Sequence, residues 1–207
     1  MTPLAYSRRR ASRNVLWPVL LALLSACSAH KPTAWRLTDV RGHLPDLRFH
    51  LLNGQGSTVT QRNFLGKVVV LYFGYTHCPD ACPLTMTHLH LVMQKLGPLA
   101  REVRILFVSI DPARDTPTVV GRYAAAFDSR AVGLTGTMSE IETLAKRYRM
   151  AFNRGQDLGN GAYEVNHSSA IYVFDRRGRA RLLASPADSN ADIVHDLRIL
   201  IGPEQPS

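Results

Sequence analysis

Beyond the N-terminal segment, two short stretches of the chain are almost continuously apolar. Residues 67–73 (KVVVLYF) and 103–110 (VRILFVSI) are rich in β-branched and aromatic side chains, which predicts two central strands covered on both faces. Longer stretches are apolar on one side. Residues 83–96 carry Leu84, Met86, Leu89, Leu91, Val92 and Leu96, with Pro83 in the first turn and Gly97-Pro98 as a stop, so a helix is expected. A second helix begins at Asp115-Thr116-Pro117 and runs to about Phe127. Thr137 caps a third, with Glu140 three residues on as in a capping box, running to about Tyr148. A fourth covers residues 188–201, with Ile193, Val194, Leu197, Leu200 and Ile201 on one side. Between them lie a short strand at Val132-Gly133-Leu134 and a hairpin of residues 170–175 and 180–184 about Arg176-Arg177-Gly178. Its basic residues, Arg176, Arg177, Arg179 and Arg181, read as a solvated turn. Residues 47–51 alternate and the turn Asn53-Gly54-Gln55-Gly56 follows, which gives an N-terminal hairpin. The order of elements predicts an α/β fold, a mixed central sheet flanked by helices.

The N-terminus follows a different pattern. Residues 7–13 are basic, residues 15–24 (VLWPVLLALL) are apolar, and Leu24-Ser25-Ala26-Cys27 closes the segment. Ten apolar residues are too few for a bilayer core of ~30 Å, which takes about 20 as a helix. They fit the apolar region of a signal peptide. The ending resembles the lipobox of bacterial lipoproteins, in which the cysteine is diacylated and becomes the new N-terminus. An ordinary cleaved signal or a short anchor is the alternative. The resemblance implies a signal peptide at 1–26, a lipidated Cys27 with a flexible tether to 36, and a folded domain at 37–207, held by its lipid at the periplasmic face of a bacterial membrane.

Composition narrows the class. The 207 residues are 45% hydrophobic and 20% charged, which excludes a disordered chain, a collagen and a polytopic membrane protein. The net charge is +9, from 25 basic and 16 acidic residues. Arg8, Arg9, Arg10 and Arg13 carry four of those positives, so the rest is only about +5, far from a nucleic-acid-binding surface.

With Cys27 consumed by lipid, the three cysteines reduce to Cys78 and Cys82, in an exported, oxidising compartment. They stand between the first central strand and the following helix, as C-x3-C. This is the thioredoxin arrangement with one extra residue. Cys82 falls near the helix N-terminus, where free N–H groups and the helix dipole are expected to lower a thiol pKa. Two thiols on one loop either close a disulfide or hold a soft metal ion. A purely structural disulfide would close a very short loop and gain little. His167 separates the options. It lies just before the strand at 170–175, and in a thioredoxin fold that loop packs against the active-site end of the helix. Two sulfurs and one nitrogen suit trigonal Cu(I), or Cu(II) with a further oxygen, whereas structural zinc wants a fourth ligand that is not evident. Met86, one turn after Cys82, reads as core.

Here the chain resembles the Sco/SenC family of copper-binding, thioredoxin-like proteins, which assist assembly of cytochrome c oxidase. The motifs are FGYTHCPDACP at 73–83, SIDPARDT at 109–116, VGLTGT at 132–137 and His167-Ser168 ahead of an apolar strand, over about residues 40–201. The resemblance implies Cys78, Cys82 and His167 as copper ligands. It implies a metallochaperone rather than an enzyme, one that passes copper to the dinuclear copper site of cytochrome c oxidase subunit II by ligand exchange. It also implies an upstream periplasmic copper donor and a thioredoxin-like reductant for the cysteine pair. His77, Asp80, Asp111 and Asn166 are candidates for groups that support the ligands. His77 would tune the thiol or line the metal's path, and Asp111 would either support the site or cap the next helix. Asn166 departs from the Asp expected in relatives. Other tasks for the same site are a thiol–disulfide oxidoreductase that reduces the oxidase cysteines and a redox or copper sensor. A peroxide-removing enzyme is disfavoured, because His77 stands where a small residue is needed. The oxidase points to the inner membrane, while Ser28 lacks the retention signal of enteric lipoproteins.

Overall fold

The computed structural model describes residues 35–159 and 162–202. The expected signal peptide and Cys27 lie outside them. Among the described residues the chain forms β1 (Thr38–Asp39), β2 (His50–Asn53), β3 (Thr58–Thr60), β4 (Val68–Gly74), α1 (Ala81–Leu96), β5 (Val103–Ser109) and α2 (Pro117–Phe127). It continues through β6 (Ala131–Thr135), α3 (Met138–Arg147), β7 (Phe152–Gly159), β8 (Ala162–His167), β9 (Ile171–Phe174), β10 (Ala180–Ala184) and α4 (Asn190–Ile201). Eight strands make one sheet in the order β1-β10-β9-β4-β5-β6-β2-β3, and β7 and β8 make a second sheet of their own. β4 runs parallel to β5 and antiparallel to β9, and β5 runs parallel to β6, so the sheet is mixed as expected.

All seven residues of β4 are buried, because both faces of the sheet centre are covered. The capping box read from the sequence is present, Thr137 and Glu140 closing it on α3, and the helix start expected at Asp115-Thr116-Pro117 is capped by Thr116. Ser189, not singled out in the sequence, caps α4. α2 presses so close to β6 that a Cβ at Gly133 would come within 2.1 Å of the Val120 carbonyl oxygen, which is why this short strand holds a glycine.

Four expectations need correction. The N-terminal strand is His50–Asn53, three residues later than the alternation indicates. Leu47 and Phe49 are buried ahead of it, with the Leu47 N–H donating to the Gly178 carbonyl. The β9–β10 turn is not merely solvated. Asp175 accepts bonds from the side chains of Arg179 and Arg181 at 2.8 and 3.0 Å. Arg36, placed in the tether, is already docked, its N–H donating to the Asp196 carboxylate at 3.0 Å. The largest omission is the β7–β8 hairpin. β7 is polar and broken by Gly155, and the alternation of β8 spans only Tyr163 to His167, too short to signal a strand; the two bond to each other rather than to the main sheet.

Candidate metal centre

The site is built at the carboxyl end of β4. The loop after Gly74 is held by backbone bonds, Ile110 N–H to Gly74 carbonyl at 2.9 Å and Cys78 N–H to Tyr75 carbonyl at 3.3 Å. Asp115 clamps it from below. This fully buried carboxylate accepts the Thr76 N–H at 2.9 Å, the Thr76 hydroxyl at 2.5 Å and the Ser109 hydroxyl at 2.6 Å. Several hydrogen bonds converging on one buried carboxylate make a stiff joint.

Cys82 is buried in the first turn of α1. The Tyr72 hydroxyl donates to its sulfur at 3.6 Å, and His167 Nε2 lies 3.6 Å away on the same sulfur. Its own backbone N–H donates to Cys78 Sγ at 3.3 Å. The helix N-terminus therefore solvates the Cys78 sulfur. The expectation that it would lower the Cys82 pKa fails: burial pushes that thiol up to about 12, outweighing the hydrogen bonds that favour the thiolate. Both cysteines are free thiols.

His167 ends β8. Its Nδ1 pairs with the Ser168 carbonyl at 2.9 Å, which places the proton on Nδ1 and leaves the Nε2 lone pair towards Cys82. Burial holds its pKa below the ordinary histidine range, against that backbone bond, so the ring is neutral at pH 7 and in its ligating form. Tyr72 and Tyr75 meet the imidazole edge-on at 6.1 and 6.3 Å. Among the described residues no three His, Cys, Asp or Glu side chains are gathered closely enough to hold a metal ion as they stand. Capturing one requires a ligand to move. The donor set, two sulfurs and a neutral imidazole, fits a soft ion such as Cu(I).

The remaining candidates divide. Asp111 is 3% exposed and accepts the Tyr163 hydroxyl at 2.5 Å and the Arg114 guanidinium. It therefore supports the His167 hairpin, while Thr116 does the helix capping. His77 is exposed and turned to the Thr76 hydroxyl at 3.2 Å and to Asp115 at 3.6 Å. Asp80 is exposed at the N-cap of α1, and its side chain does not cap the helix. Asn166 is exposed and paired with Asn153 across the hairpin, so the task of orienting His167 belongs to the Ser168 carbonyl. Met86 is in the core. The sequence reading missed Tyr72, Tyr75, Arg114, Asp115 and Tyr163. Only the pair of acids in SIDPARDT, with their spacing after a buried strand, hinted at any of them.

A family model described as SCO1/SenC matches residues 42–202. The mitochondrial SCO2 homolog of Danio rerio is 40% identical over 132 residues, covering 63% of this chain and 47% of the relative. The structure of Bradyrhizobium japonicum ScoI with copper bound is 32% identical with a TM-score of 0.69, covering 75% of this chain and 99% of that one. The solution structure of apo Sco1 from Thermus thermophilus is 36% identical with a TM-score of 0.70, covering 81% and 99%. The chain spans about half the length of curated relatives such as the zebrafish and yeast proteins. The matched span takes in the C-x3-C loop, the SIDPARDT segment and His167, and the chain belongs to the SCO1/SenC family.

Proposed function

We propose that this protein is a copper metallochaperone, with Cys78, Cys82 and His167 holding one copper ion for delivery to the dinuclear copper site of cytochrome c oxidase subunit II. The observation that carries the reading is the neutral imidazole of His167, its Nε2 3.6 Å from the Cys82 sulfur and one bond network away from Cys78. A disulfide enzyme has no need of that histidine. The copper bound to Bradyrhizobium japonicum ScoI, a relative at 32% identity, supports the choice of metal. Copper is cargo here. It leaves when cysteines of the recipient displace Cys78, Cys82 and His167 in turn, so it is never released to solvent. Loading expels the proton that the buried Cys82 thiol carries at neutral pH. A Cys78–Cys82 disulfide is the unloaded, inactive form, which calls for a thioredoxin-like reductant and an upstream copper donor. We assign residues 1–26 to a signal peptide, Cys27 to lipidation and 28–35 to a tether that ends where Arg36 docks on Asp196, and these hold the domain at the periplasmic face of the inner membrane.

The test is a copper titration of the full chain in detergent, reduced and anaerobic, beside Cys78→Ala, Cys82→Ala and His167→Ala. One copper per chain is expected, lost with either cysteine and held at least tenfold more weakly by His167→Ala. The second reading, a thiol–disulfide oxidoreductase, draws on the closeness of the two free thiols. It wins if no specific copper binds and if a disulfide substrate turns over equally well with His167→Ala.

A further inference from the structure

The small sheet that carries His167 shares no strand pairing with the main sheet. Side chains join it to the body instead. Tyr163 on β8 donates its hydroxyl to Asp111 at 2.5 Å, and that buried carboxylate also receives the Arg114 guanidinium. The Tyr163 ring lies between two guanidinium groups, Arg114 from the loop after β5 at 3.6 Å and Arg154 from β7 at 3.9 Å. Two residues on, buried Val165 donates its N–H to the Tyr75 hydroxyl at 3.3 Å. Two residues further is His167. In a strand, alternate residues share a face, so Tyr163, Val165 and His167 turn together towards the body. A twist or slide of β8 against the body would move all three, with His167 at the open end of the hairpin opposite Phe152.

We infer that Tyr163 is a positioning residue for His167: its bond to Asp111 and its stack on Arg114 hold the β7–β8 hairpin where the imidazole meets the Cys82 sulfur. Without the phenol, Asp111 keeps one partner fewer in a buried place, and the hairpin loses one of its polar links to the body, leaving the longer Val165 bond to Tyr75. The ring's contact with two cations is a second, separate tie. Release of the hairpin withdraws the nitrogen ligand while both sulfurs stay on α1 and its loop. The copper side of this inference rests on the proposed function, and its copper-free side does not.

The experiment uses the reduced full chain in detergent, with Tyr163→Phe to remove the hydroxyl and Tyr163→Leu to remove the ring. In the copper-free protein, backbone amide exchange over 163–168 and the His167 imidazole resonances are measured. After Cu(II) loading, nitrogen hyperfine coupling and the thiolate-to-copper absorption are read. Tyr163→Phe is expected to speed exchange over 163–168 roughly tenfold, as loss of a bond to a charged group should, and Tyr163→Leu more. Exchange in β4 and β5 should not change. The nitrogen coupling should weaken while the thiolate band remains. Wild-type exchange and imidazole signals in both variants would overturn the positioning role. So would faster exchange with unaltered nitrogen coupling. If the unsubstituted chain takes up no copper, the metallochaperone reading falls, and the imidazole resonances decide this one: shifted in the variants supports it, unshifted refutes it.

Discussion

A methyl group at Gly74 would lie 2.7 Å from the Phe107 ring and 2.9 Å from the Cys82 sulfur, closer than side-chain carbons settle in folded proteins. The last residue of β4 is thus bare so that the sulfur can occupy the space. Gly74→Ala should push Cys82 away from His167 and strain the ring behind it. An overpacked core of this kind costs about 1–3 kcal/mol. Urea unfolding of the variant should show that loss, and copper retention should fall with it. Wild-type stability together with wild-type retention would mean that the sulfur has room to spare. The residues proposed as ligands stand out in the sequence, because cysteine spacing and a histidine before a strand carry their chemistry locally. The groups that hold them do not. Asp115 reads as the start of a helix, and Tyr163 as an isolated tyrosine, until the chain folds them onto Thr76 and Asp111.

At the level of elements, what was legible followed burial. β4, β5 and the capped helices announce themselves because their side chains face the core and their ends need caps. β7–β8 stayed hidden because most of its residues face water, and strand β1 because two residues carry no period. The β9–β10 turn was read as a hairpin but not as a charge cluster. Its Asp175 is pushed up by burial, yet the Arg179 N–H and side chain, with Arg181 and the Arg177 N–H, outweigh that and hold the carboxyl below its ordinary value. A carboxylate whose pKa is lower folded than unfolded adds stability above its unfolded value, near 3.9, and loses it as pH falls through the folded value. The domain should therefore lose stability as pH drops below about 4. Asp175→Asn should be less stable than wild type at pH 7 by about 1.5–3 kcal/mol, the range for hydrogen bonds to a charged group. The gap should narrow in acid. Urea midpoints at pH 7 and pH 3 decide it, and a gap that does not change with pH would show that Asp175 works through shape rather than charge.

For the whole molecule, the question is how the proposed carrier stays near the recipient proposed for it. Among the described residues no helix is long and apolar enough to cross a membrane. The folded part is anchored at its own N-terminal end, where the Arg36 and Leu37 N–H groups are held by the fully buried Asp196 carboxylate on α4. Between that fixed point and Cys27 lie fewer than ten residues, which reach at most ~30 Å when extended. If Cys27 carries the acyl chains proposed for it, the copper site works within a narrow layer above the bilayer. The proposed delivery to another membrane protein is then a search in two dimensions rather than three. The prediction concerns the mature N-terminus. Mass spectrometry of the full chain expressed in a bacterium that processes lipoproteins should find a first residue at Cys27 bearing two or three acyl chains. The protein should fractionate with membranes at high salt, because an acyl anchor does not depend on charge. A mature terminus elsewhere, or an unmodified Cys27, would remove the anchor. The same chain would then be a diffusing carrier whose rate of copper transfer rises with its concentration in solution.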